Sequence, residues 1–407
     1  MSELLEQFSA PPLIELESDL EALRKHAQKV LMQHGFPQRK TEAWKYTPIA
    51  ALERRDWSSD GPDESAARTE SIELPFDAHR IPVHNGQIDT SQLNEIDGLH
   101  IEPLRAEQID TSAYVDHDPS DAFAWLNLAR LEQGICIRVT HTLERPLALQ
   151  FSSSDQFKQA AHPRIRIELA EGVEATLFEQ HRLHGSGLIN LVMDLQLAAG
   201  SSLQHLMQRQ NDESALIART EAQLEQAAHY QAYVLDLGGA LTRQDLKVHL
   251  NESRARTRIH GVAALKDKQL VDYHTAIQHR VGPSHSEEDF RILADNHSMG
   301  VFNGRIHMLP GADDSHSDMN TANLLLSEHA RINTKPELEI HAEEVTASHG
   351  ATVGQLEEAA RFYLRSRGLN DAEALALLKF GFAAAAFDAL ESEPLRQWFT
   401  DRLKQAL

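Results

Sequence analysis

Thr242-Arg-Gln-Asp-Leu-Lys-Val-His-Leu250 ends in strict alternation, with Leu246, Val248 and Leu250 separated by Lys247 and His249. A period of two places one face of the segment against a core and the other in water, which predicts a half-buried β-strand. The same texture recurs on both sides. Upstream it appears in Arg164-Ile-Arg-Ile-Glu-Leu169, Leu188-Ile-Asn-Leu-Val-Met193, Ser202-Leu-Gln-His-Leu-Met207 and Gln231-Ala-Tyr-Val-Leu-Asp-Leu237, and downstream in Thr257-Arg-Ile-His-Gly-Val-Ala263. Many short strands joined by brief turns, with no helices between them, suggest a sandwich, a barrel or a β-solenoid. The run continues for over 200 residues, and Ala and Gly recur at the turns, where successive coils must approach closely. Both features favour the solenoid, although no fixed repeat period is visible.

Helical patterns flank this β region. Residues 1–57 form an N-terminal helical region, in which Leu20, Leu23, Ala27, Val30 and Leu31 share a helix face that Gly35 and Pro37 terminate. Residues 58–133 are expected to be a linker and mixed segment. Within it, 58–75 has a polar, Gly/Pro linker composition, and Pro119–Arg130 forms one short helix with Ser120 or Asp121 as N-cap. The β core spans 134–353, and a C-terminal helical domain spans 354–407. In that domain Gly368 stops a helix begun at Gln355, Asn370 and Glu373 have the spacing of a capping box, and Pro394 opens the last helix.

The net charge of −22 argues against binding nucleic acid or an anionic membrane surface, both of which need clustered Lys and Arg. No run of 18 apolar residues is long enough to span a membrane, and Met1-Ser-Glu-Leu-Leu-Glu-Gln7 lacks a secretory pattern, so a cytoplasmic location is expected. The single cysteine, Cys136, excludes an intrachain disulfide or a four-thiolate metal site, and its alternating surroundings predict a buried strand position. The Walker A, Gly-x-Gly-x-x-Gly, His-Glu-x-x-His, Cys-x-x-Cys and Gly-x-Ser-x-Gly motifs are all absent. Nine histidines between His274 and His349 could line stacked coils, yet their spacings match no metal motif. Acids such as Asp313, Asp314, Asp318, Glu328, Glu343 and Glu344 leave open a solenoid carbohydrate-active enzyme using paired carboxylates. The missing export pattern and the 6% aromatic content weigh against it. A purely structural interaction protein is the other alternative.

Several blocks in order carry a more specific signal: Phe302-Asn-Gly304, Asn323-Leu-Leu-Leu-Ser327, Pro336-Glu-Leu-Glu-Ile340, Ser348-His-Gly-Ala-Thr-Val-Gly354 and Phe362-Tyr-Leu-Arg-Ser-Arg-Gly368, with Arg39–Pro48 as a weaker N-terminal match. Together they resemble the SufB/SufD family of the SUF iron–sulfur cluster assembly machinery. The absence of any cysteine after Cys136 and the Ser-His-Gly-Ala-Thr form point to its SufD-like branch. The resemblance implies a mainly β protein with a right-handed parallel β-helix core between helical ends. It implies a non-catalytic scaffold subunit that pairs with SufB through the C-terminal coils of both β-helices and with the SufC ATPase through its C-terminal helices. Self-pairing as a homodimer would be open to it when SufB is absent. It further implies that His349 contributes to an interfacial site where a transient iron–sulfur cluster forms, with iron entering there and Glu343 and Glu344 as additional metal ligands. Relatives often carry Cys two positions before this histidine; here the position is Ala347, so an essential thiol there is ruled out for this chain.

Overall fold

A computed structural model describes residues 3–9, 16–38, 40–57, 74, 76–91, 93, 96–112, 114 and 119–407. The expected linker at 58–75 falls almost wholly outside them. The described strands build two ten-stranded sheets. One sheet, here sheet I, receives Ser202–Arg209, His229–Asp236, Arg256–Leu265, His285–Ala294, His316–Leu325 and Thr346–Gly354. The other, sheet II, receives Leu188–Leu197, Ala215–Leu224, Leu241–Leu250, Leu270–His279, Met299–Met308 and Arg331–Ile340. The chain gives one strand to each sheet in turn, and every neighbouring pair in these two sets is parallel. The core is therefore a parallel β-solenoid between helical ends, as the alternation and the resemblance lead one to expect.

The register explains why no repeat period shows in the sequence. Leu188 lies opposite Ala215 and Ala215 opposite Leu241, steps of 27 and 26 residues, whereas Met299 lies opposite Arg331, a step of 32. Turn chemistry drifts as well. Gly172 and Gly200 hold a left-handed turn in the early coils, and Ala227 (φ 56°) and Arg254 (φ 64°) occupy the same corner later. Side chains seldom take that conformation, so the glycine signal of a stacked turn fades along the chain.

The solenoid starts earlier than residue 134. His79–His84 pairs in parallel with Leu147–Ser152 and antiparallel with Gln87–Ile88, while Leu99–Pro103 runs antiparallel to Gly134–Val139. Antiparallel strands at this end cover edges that the parallel coils would otherwise leave open. The helix Ala122–Ala129 forms where expected, but Asp121 does not cap it through its side chain; its carboxylate instead accepts from Arg219 at 2.6 Å.

Inward rows such as Ile165, Ile167, Leu195, Val248, Ile277 and Ile306 fill the interior. It also holds polar groups. Glu179 accepts from the Nε2 of His181 at 2.6 Å and lies 3.1 Å from His205 Nε2, and the Tyr273 hydroxyl donates to Asp236 at 2.5 Å. The two outer faces are covered from opposite ends of the chain. Leu4, Phe8, Phe36, Trp44, Ile49 and Phe123 pack on sheet II against Leu188, Ala215, Ile217 and Leu241. The C-terminal helices Asp371–Ala384 and Glu393–Ala406 pack on sheet I, with Phe387, Trp398, Phe399 and Leu403 against Phe178, Leu206, Tyr233, Val262 and Leu293. Of the two aromatics in Arg39–Pro48, Trp44 is buried beneath the Arg243 guanidinium at 3.9 Å, while Tyr46 stays exposed.

Candidate functional site

The C-terminal end of the solenoid differs from the other: among the described residues no coil covers it. Thr346–Gly354 forms the last strand of sheet I and Arg331–Ile340 the last strand of sheet II. Side-chain direction in a parallel ladder follows register, so the inward row of the last strand can be read from its neighbour. Ser317, Met319 and Thr321 are buried, and their partners are Ala347, His349 and Ala351. His349 thus stands on the inner face at the top of a column formed by Ile259, Glu288 and Met319. It is exposed, and among the described residues nothing lies above it and its ring has no hydrogen-bond partner. Ser348 points the other way and donates to Asp318 at 2.5 Å.

Ile332, Leu338, Ala342, Val345 and Ala347 line the same open end and are only partly buried, although they belong to the apolar interior. Ile340 and Val353 are exposed, 42% and 46% respectively. The last coil thus combines a half-covered core cross-section with two strand edges that have no neighbour among the described residues.

Glu343 and Glu344 lie on the turn that enters the last strand, and both are exposed. The Glu343 amide donates to the Asp313 carboxylate at 2.8 Å, and Glu344 takes the left-handed conformation (φ 53°). Neither joins His349 in a group of three converging donors among the described residues. Cys136 is fully buried in Gly134–Val139, and burial pushes its thiol up to about 11, which disfavours the thiolate form.

Three donors do converge elsewhere. His307, Glu339 and His341 bring their ligand atoms within 4.8 Å of one another. The Arg305 guanidinium and the His341 ring hold the Glu339 carboxyl down to about 2. Both histidines are among the nine noted in the sequence, but Glu339 is not. Spacing along the chain is the wrong measure here, because one coil places His307 directly opposite Glu339, 32 residues away. Nearby, Lys335, Glu337, Arg305 and Glu339 form one wall of an open groove of about 960 Å³ between sheet II and Gln38, Lys40, Thr41, Glu42 and Ala43.

The C-terminal helices present a further surface. Glu358–Ser366 buries none of its side chains, and Phe362 and Tyr363 are 73% and 55% exposed. Arg361 anchors this helix to the next through Asp371, with contacts at 2.7 and 2.6 Å. The capping box is present, since Asn370 accepts from the Glu373 amide at 3.0 Å and Glu373 accepts from the Asn370 amide at 2.8 Å. No described helix is long and apolar enough to cross a membrane.

The sequence is also similar to those of known proteins. The family model described as "SUF system FeS cluster assembly, SufBD core domain" matches residues 151–382, which is more than half of the chain. The iron-sulfur cluster assembly protein SufD of Escherichia coli (strain K12) is 29% identical over 395 residues, covering 94% of this chain and 92% of that protein. A SufBD family protein of Synechocystis is 27% identical over 410 residues, covering 94% and 89%. SufD of Bacillus subtilis is 34% identical over a shorter stretch of 106 residues, 26% of this chain and 24% of that one. A SufBD core of parallel coils, helices on both outer faces and similarity to SufD over nearly its whole length place this chain in the SufBD family of the SUF iron–sulfur cluster assembly system, on its SufD side.

Proposed function

We propose that this chain is a non-catalytic scaffold subunit that completes a cluster-assembly site together with a second, SufB-type solenoid. The observation that carries the reading is His349: an imidazole that, among the described residues, has no partner and stands on the inner face of an uncovered coil. The cluster is cargo, and this chain has too few thiolates to hold it alone, because its one cysteine is buried and protonated. An imidazole is a good ligand for iron and can be lent to a site whose sulfur donors come from the other subunit. Glu343 and Glu344, on the adjacent turn, supply oxygen ligands that hold incoming iron near that interface. The half-covered apolar residues Ile332, Leu338 and Val353 supply the contact surface on which the partner's last coil sits, and a second copy of this chain takes that place when SufB is absent. Phe362 and Tyr363 form the docking patch for the SufC ATPase, whose motion reaches the interface through the helices packed on sheet I. The complex works in the cytoplasm, where one unpaired cysteine is ordinary.

Anaerobic reconstitution with SufB and SufC, iron and a sulfur donor tests this reading. The wild-type complex develops cluster absorbance and the His349→Ala complex, still assembled, does not. Equal cluster formation by both would remove His349 from the site, and failure of the chain to bind either protein would remove the scaffold role.

A further inference from the structure

We propose that His307, Glu339 and His341 form a binding site for one divalent first-row transition-metal ion, separate from His349. The backbone dictates the arrangement. His307 and Glu339 are directly opposed in adjacent parallel strands, and Glu339 and His341 are two residues apart, so all three side chains leave the same outer face of sheet II. His341 Nε2 lies 3.1 Å and His307 Nε2 3.7 Å from the same oxygen, Glu339 Oε1. Two metal–ligand bonds of about 2.0–2.1 Å meeting near a right or tetrahedral angle span roughly 2.8–3.4 Å, so small rotations bring all three donors onto one ion. A single imidazole–carboxylate hydrogen bond would need no second ring, yet both rings direct Nε2 to the same atom. The other carboxylate oxygen is taken by Arg305, which orients the group and leaves Oε1 to the ion.

Two imidazoles and one carboxylate suit iron(II), zinc and their neighbours rather than calcium or magnesium, which prefer all-oxygen sets. Three protein donors leave coordination positions for water, and Glu339 and His341 are 40% and 51% exposed, so the ion can be exchanged. Arg305 and Glu339 line the groove beside Thr41, Glu42 and Ala43, which leads solvent to the site. The proposal is independent of the role assigned to His349.

The test is a cobalt(II) titration of the full-length chain, without a polyhistidine tag, read by visible ligand-field absorption. The wild type takes up one ion saturably, and His307→Ala, Glu339→Gln and His341→Ala each weaken uptake by at least about tenfold. His297→Ala, which alters another exposed histidine pair, leaves uptake unchanged. Matching melting temperatures exclude unfolding as the cause, and Glu339→Gln preserves the side-chain shape. Uptake that is equal in wild type and the three variants, or that falls equally in His297→Ala, would overturn the proposal.

Discussion

Glu288 should make this protein less stable as pH rises, and Glu288→Gln should cancel that loss. The side chain is buried in the inward row of sheet I, and neither carboxyl oxygen finds a hydrogen-bond partner. The Thr275 hydroxyl offsets burial only in part, since it too completes no hydrogen bond of normal geometry, and burial raises the carboxyl to about 7. In the unfolded chain the same group titrates near 4.3. Between these two values the folded state holds a proton that the unfolded state has lost, so stability falls as pH rises from about 4.5 to 7 and is level above that window. A difference of about 2.7 pKa units at 1.36 kcal/mol each corresponds to between roughly 3 and 4 kcal/mol in full, of which about 3 kcal/mol falls between pH 4.5 and 8. The unpartnered amide of the variant carries its own cost, but that cost does not vary with pH. Denaturant unfolding of both proteins at intervals from pH 4.5 to 8 therefore yields a stability difference that moves in favour of Glu288→Gln by about 3 kcal/mol, with most of the change before pH 7. Other titrating groups are common to both proteins and cancel. A difference that stays flat across the window, or moves the other way, would refute the account of a buried, unpartnered carboxyl.

Further tests address other parts of the molecule. Native Cys136 should resist iodoacetamide at pH 8, because a thiol near 11 is only about 0.1% thiolate there against roughly a fifth for a free cysteine; mass spectrometry should show labelling only after unfolding. Arg243→Ala removes the guanidinium 2.7 Å from the buried Asp272 carboxylate, leaving it only Thr47 and His274, and removes the contact over Trp44, so thermal or denaturant unfolding should report a loss of about 3 kcal/mol. Val353→Asp should leave the melting temperature of the isolated chain nearly unchanged but weaken pairing with SufB on the order of tenfold or more in a binding titration. The double variant Phe362→Ala/Tyr363→Ala should likewise keep its stability while losing about 2 kcal/mol or more of SufC affinity by calorimetry.

Much of the architecture was legible because parallel coils write their alternation directly into the sequence. Leu246, Val248 and Leu250 face inward as their spacing demands, and the Asn370–Glu373 capping box and the stop at Gly368 are local chemistry that a sequence displays. The strands before residue 134 were not legible, since His79–His84 and Leu99–Pro103 are only six and five residues long and lie among turns and irregular chain. Nor was the role of Asp121, whose capping pattern is overridden by an arginine 98 residues away. At the site, the block around His349 could be found by resemblance, and its placement on an open inner face follows from register. Glu339 escaped notice because its partners come from a neighbouring coil, and a varying step of 26 to 32 residues hides that neighbour from any fixed-period reading.

The way the C-terminal helices lie on sheet I has a mechanical consequence. Their apolar side chains are shared with Phe178, Leu206, Tyr233, Val262, Leu293 and Leu324, which belong to six successive strands. They act as a splint along the sheet rather than a plug at its end. A load applied to the helices is spread over all six strands at once, and lifting them would mean separating the whole seam together.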